Sequence, residues 1–133
     1  MSESCFPYAA VNGICSNQCA QPIDPVTINS YVGPQWADAT VDNLKLALQQ
    51  GPVSVAMHTP ASFHAYTGGV YNYQSGECID LHAVLVVGYN DQGNYFKAKN
   101  SWGSQWGGPE HGYFRIDYSD VTDNIRFGRY GSW

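Results

Sequence analysis

Basic residues are scarce in this chain of 133 residues: six Lys and Arg stand against eleven Asp and Glu, for a formal charge of −5. With no basic stripe to release counterions, nucleic acid and anionic membrane surfaces are excluded as partners. Long apolar runs are missing too, since none approaches the ~20 residues that span a bilayer. Internal repeats and low-complexity segments are absent, which excludes a solenoid and leaves one folding unit, residues 1–133. The first residues, MSESCF, lack the charged and apolar regions of a secretion signal. Close pairs of metal ligands are lacking as well. Cys15 and Cys19 could form half of a zinc site, but no second pair accompanies them, so no metal is expected.

What is present is a chain of short strands. Residues 1–25 are rich in cysteine and proline and read as a surface loop held by disulfides. The four cysteines, three of them between Cys5 and Cys19, point to an oxidising compartment and allow three connectivities if all pair internally. Residues 39–50 form the one good helix candidate, with Thr40 as N-cap, Val41, Leu44 and Leu48 on one face, and Gly51 as terminator. Residues 27–32, 53–57, 70–73, 82–89, 95–100, 113–118 and 125–130 read as strands separated by Gly, Pro and Asn signals. The fold class is therefore α+β, a mostly antiparallel, barrel-like sheet with one flanking helix.

The stretch from Leu81 to Trp106 carries the chemistry. His82 begins a β-branched apolar run that reads as a buried strand, and Asn90 to Gly93 form a turn cluster. Folding the hairpin about those four residues pairs Tyr89 with Asn94 and sets His82 opposite Ser101, next to Asn100. A histidine oriented by an asparagine amide is half of a nucleophilic machine whose missing part is a thiol.

These residues resemble the papain-like cysteine peptidases. Their C-terminal half carries GPVSVA, HAVLVVGY and KNSWG segments followed by WG and GY, found here at 51–56, 82–89, 99–103, Trp106-Gly107 and Gly112-Tyr113. The resemblance runs from about Cys5 to the last strand at 127–130. It implies the right-hand half of that fold, His82 and Asn100 as catalytic residues, and Trp102 as an aromatic shield over their contact. Trp106 would shape the leaving-group side of the cleft, and Ala56, Leu81 and Ala83 would line the acyl side. The family's nucleophile lies in a QG-x-CGSCW motif that does not occur in these residues, so the chain reads as half of an enzyme. The thiol and the oxyanion hole would come from a missing N-terminal half.

Further expectations follow from the resemblance. Relatives bond the cysteine before the catalytic histidine to one in the last strand, where this chain has Phe127, so Cys78 lacks its usual partner. The expected bond is Cys5–Cys19, with Cys15 and Cys78 free or paired with segments outside the chain. Leu81 replaces the aspartate or asparagine often found before the histidine, and GGPEH after Trp106 is longer than the usual link. No cofactor is implied, because hydrolysis by a thiolate needs none. The implied partners are the cysteine-bearing half and a peptide or protein substrate, with a homodimer through the exposed half-interface as an alternative. The implied compartment is extracellular or lysosome- or vacuole-like. Two other readings stand beside this one: a non-catalytic protein-binding fragment, and a rearranged site in which Cys78 serves His82. His58, His64 and His111 fall in different predicted elements and read as surface or satisfied histidines.

Overall fold

Thr40 does what its position predicts: its Oγ1 accepts a hydrogen bond from the Asn43 backbone N–H at 3.2 Å and opens helix α1, Val41–Leu48. The computed structural model describes residues 39–132. The expected loop 1–25, the strand 27–32 and Cys5, Cys15 and Cys19 lie outside the described residues. α1 is shorter than the 39–50 expected. Residue 39 precedes the cap, and Gln49 and Gln50 bond back to Leu46 and Ala47 in a tightened turn. Asp42 in its first turn and Lys45 in its last complement the helix dipole, and Leu44 and Ala47 are buried.

Six strands follow: β1 Val53–Pro60, β2 Val70–Tyr71, β3 Cys78–Asn90, β4 Tyr95–Lys99, β5 Tyr113–Asp117 and β6 Arg129–Ser132. They form one sheet in the order β2-β5-β4-β3-β1-β6, antiparallel except for the β2–β5 pair. The α+β class and the mostly antiparallel pairing are as expected. Among the described residues the sheet stays open rather than closing into a barrel, with β2 and β6 at its edges. β1 runs on to Pro60 and passes into a four-residue helix, α2, Ala61–His64, which the sequence pattern did not announce.

Three expected strands are trimmed for identifiable reasons. β2 ends at Tyr71 because the Tyr73 N–H goes to the Asp120 carboxylate instead of a ladder partner. β5 ends at Asp117, whose side chain caps a 3-10 turn, Tyr118–Val121, by accepting from the Ser119 N–H at 2.9 Å. β6 begins only at Arg129, because Arg126 takes a left-handed φ of 46° that no strand accommodates.

β3 is not buried on both faces as its apolar run implied. Val84 and Val86 are 5% and 0% exposed, whereas Leu81, Leu85 and Val87 on the alternate face are 60%, 37% and 37% exposed. The buried face meets Phe63, Phe96, Phe114, Ile116 and Phe127 in a core dominated by aromatic rings. Phe127 is fully buried, with ring centroids 5.9 Å from Phe96 and 6.3 Å from Phe114. A ring in that setting contributes about 3–5 kcal/mol when judged by truncation to alanine.

Candidate active site

The interior of one strand and the end of the next build the site. His82 lies on β3, and Asn100 is the first residue past β4, where its backbone N–H donates to the Gly112 carbonyl at 2.9 Å. The hairpin brings the two side chains together: His82 Nε2 and Asn100 Oδ1 are 2.7 Å apart. The Ser101 backbone N–H donates to the same Oδ1 at 2.7 Å, which marks that atom as the amide oxygen and hence an acceptor. Nε2 therefore carries the hydrogen and donates. In the neutral ring this leaves Nδ1 with a free lone pair, the atom that can take a proton from a reacting group.

The contact forms even though the register differs from the expected one. Tyr89 pairs with Phe96 rather than Asn94, because the loop is residues 91–94 and Asn94 turns the chain with a φ of 52°. A bulge between Val86 and Gly88 then takes back one residue, so Leu85 meets Lys99. Asn100 itself is 6% exposed, and its Nδ2 has no hydrogen-bond partner among the described residues.

Trp102 lies over the imidazole, with ring centroids 4.7 Å apart and planes inclined by 30°. An apolar plate there keeps water from competing for the His82–Asn100 bond, which is stronger in a lower dielectric. Trp102 meets Trp106 edge-on at 5.1 Å, and both rings pack on Phe63, at 5.6 and 5.2 Å. The turn carrying both indoles closes through the Gly112 N–H, which donates to the Trp106 carbonyl at 2.9 Å. Gly107 is required in it: at φ 81°, an added Cβ would stand 2.7 Å from the Tyr113 carbonyl oxygen. The GGPEH link forms a 3-10 turn, Gly108–Glu110, tied to β5 by the Glu110–Arg115 ion pair.

Of the three residues expected on the acyl side, Ala56 and Ala83 are direct cross-strand partners and Leu81 pairs with His58, so all three share one face of the β1–β3 ribbon. Ala83 lines a depression of about 430 Å³ together with Ser54, Leu85, Lys99 and Asn100. Leu81 instead lines a second one, of about 500 Å³, with Thr59, His64, Asp80, His82 and Trp102. Ala83 and Leu81 are thus divided between two depressions, one bordered by Asn100 and the other by His82, and Ala56 lines neither.

Cys78 is the one described cysteine and is free. It precedes His82 by four strand residues, about 13 Å at the usual rise. Its thiol donates to the Asn124 carbonyl at 3.8 Å, and burial, followed by the Asp123 charge, pushes its pKa up. Both features disfavour a nucleophile at Cys78. Among the described residues, no cluster of three or more His, Cys, Asp or Glu side chains could hold a metal ion, and no helix is long and apolar enough to cross a membrane.

Sequence reasoning passed over two groups near these features. His64, at the end of α2, stacks on Trp102 from 4.6 Å. Only the short helix after Pro60 puts it there, and no motif marks it. Asp120 is fully buried, and its Oδ2 lacks a partner among the described residues. Burial, then hydrogen bonding with Asp123, pushes its carboxyl up to about 8. A lone Asp between Ser119 and Val121 reads as an ordinary turn residue, so the sequence held no signal for it.

Residues 1–126 match the family profile described as papain family cysteine protease. The chain is 38% identical over 120 residues to a cathepsin L-like proteinase of Fasciola hepatica, covering 86% of this chain and 35% of that one. It is 35% identical over 127 residues to the gamete and mating-type specific protein A of Dictyostelium discoideum, covering 96% of this chain and 27% of that one. The chain thus spans about a quarter to a third of the length of these relatives. Among solved structures, bromelain from Ananas comosus in complex with the E64 inhibitor superposes with a TM-score of 0.73 at 28% identity, covering 98% of this chain and 60% of that one.

Proposed function

The chain belongs to the papain family of cysteine proteases, and from that premise we propose that it supplies the histidine and asparagine of a Cys-His-Asn peptidase whose cysteine comes from an N-terminal half. The observation that carries this reading is the 2.7 Å contact between His82 Nε2 and Asn100 Oδ1, roofed by Trp102. That contact spends Nε2 on orientation and leaves Nδ1 for the thiol.

The chemistry then runs through one nitrogen. Nδ1 takes the proton of the cysteine S–H, giving a thiolate–imidazolium pair. The thiolate sulfur bonds to the scissile carbonyl carbon. As the C–N bond breaks, the imidazolium returns its proton to the leaving amine. Neutral Nδ1 next takes a proton from water, the hydroxide attacks the thioester carbon, and the thiolate departs. Asn100 holds the ring through each step, and no cofactor takes part. On this reading Ala83 lines the acyl side and Trp106 the leaving-group side. The apolar face of Leu81, Leu85 and Val87 is where the cysteine-bearing half packs. The parent would work outside the cell or in a lysosome- or vacuole-like compartment.

That same exposed face supports a second reading, a non-catalytic module that binds another protein, including a second copy of this chain. Hydrolysis of a fluorogenic peptide bearing a hydrophobic residue in the second position separates the two, measured with intact mass before and after a covalent thiol-protease inhibitor. Activity together with inhibitor-labelled mass on a cysteine-bearing segment is the expected result, and His82→Ala should lower it about 1,000-fold. An inert, unlabelled species in the presence of such a segment would leave only the binding module.

A further inference from the structure

Two imidazoles share one indole. Trp102 stacks on His82 at 4.7 Å and 30°, and on His64 at 4.6 Å and 21°. His64 is fixed from behind as well, because Trp106 Nε1–H donates to its backbone carbonyl at 3.1 Å. Both histidines line the same depression of about 500 Å³. His82 is occupied by Asn100; the His64 ring has no hydrogen-bond partner among the described residues, and its side chain is open to solvent.

We propose that His64 is a specificity-determining residue of the leaving-group side: protonated, it receives a carboxylate carried by the peptide just beyond the scissile bond. This rests on the peptidase reading above and adds to it the class of substrate. The carboxylate can be an acidic side chain or the terminal carboxylate of a short leaving peptide; the chemistry at His64 is shared. A cationic ring over an indole face is attracted by the ring quadrupole, so the stack persists when the imidazole is charged. Besides His64, the titratable groups on the walls of the depression are Asp80 and His82, both from β3, while β1 contributes the neutral Thr59. Asp80 is exposed, forms no ion pair among the described residues, and stands two strand residues from His82, about 6.5 Å along β3. Water screens it, whereas the His64 ring is held in one orientation at the indole.

Histidine changes charge between about pH 5 and 8, so binding should be present at the lower end and absent at the upper. The test follows the His64 ring signals by NMR in the 133-residue chain during titration with Ac-Ala-Glu-NH2, Ac-Ala-Ala-OH, Ac-Ala-Gln-NH2 and Ac-Ala-Lys-NH2. The expected result at about pH 5.5 is saturable shifts with one or both carboxylates, roughly three- to five-fold tighter than with the glutamine compound. These should vanish at about pH 8 and in His64→Phe, which keeps an aromatic ring on Trp102 but removes the charge. A response to Ac-Ala-Glu-NH2 alone assigns an acidic residue, and one to Ac-Ala-Ala-OH alone assigns a peptide terminus. Equal binding of Glu and Gln compounds, survival in His64→Phe, or tighter binding of the Lys compound, in which case Asp80 governs the site, would overturn the proposal. The readout needs no thiol, so it stands or falls apart from the peptidase reading. Hydrolysis without preference for Glu over Gln beyond the scissile bond would sink this inference alone.

Discussion

Asn100 and Asp120 are both buried polar residues near the ends of sheet strands, and each leaves one side-chain atom without a partner among the described residues. They differ in what burial costs. Asn100 is a neutral amide, so its oxygen can take two donors, His82 Nε2 and the Ser101 N–H, with no charge to desolvate. Asp120 accepts the Tyr73 N–H at 3.0 Å, but burial first, and then the neighbouring Asp123 and Asp117, push its carboxyl up to about 8. The lesson is that an amide orients a histidine without altering its charge balance, whereas a carboxyl in the same setting makes its surroundings answer to pH.

Exchanging the two groups tests this. The largest effect expected is from Asn100→Ala in the assembly that carries the cysteine: a roughly 10- to 100-fold fall in kcat with little change in KM, read from steady-state peptide hydrolysis. An unchanged kcat would mean the ring is held by Trp102 alone. Next comes Asp120→Asn. An acid whose folded pKa lies above its unfolded value stabilises the fold below the unfolded pKa, and that stability is lost as pH rises toward the folded one. The unaltered chain should therefore lose stability steadily between about pH 4 and about 8 that the Asn variant does not lose, seen as a flatter dependence of Tm on pH. The smallest effect is from Asn100→Asp, which places an anion against Nε2 and should move the acid limb of the pH–rate profile upward by about one unit. A limb that stays in place would show the new carboxyl to be protonated, as Asp120 is.

The His82–Asn100 corner was legible because it depends on a local hairpin. Even with the register two residues off at Tyr89 and one at Leu85, the His82 and Asn100 side chains still met. The helix was legible from Thr40 and the spacing of Val41, Leu44 and Leu48. The corner around Asp120 was not, because it joins Tyr73 to a residue 47 positions away through a 3-10 turn, and nothing local encodes that distance. His64 was read as a surface histidine for a similar reason. Its partner Trp102 lies on another element, brought near by the packing of Phe63 under both indoles. The half-buried state of β3 was obscured by apolar residues on both faces, which periodicity alone cannot separate from full burial.

Phe127 has a bearing on the conditions the molecule can withstand. Where the family resemblance implies a cysteine bonded to Cys78, this chain has three packed rings, Phe96, Phe114 and Phe127, and Cys78 is a free thiol. Hydrocarbon packing is indifferent to electrochemical potential. A reductant strong enough to keep a nucleophilic thiol from oxidising therefore removes nothing from the aromatic core beneath His82.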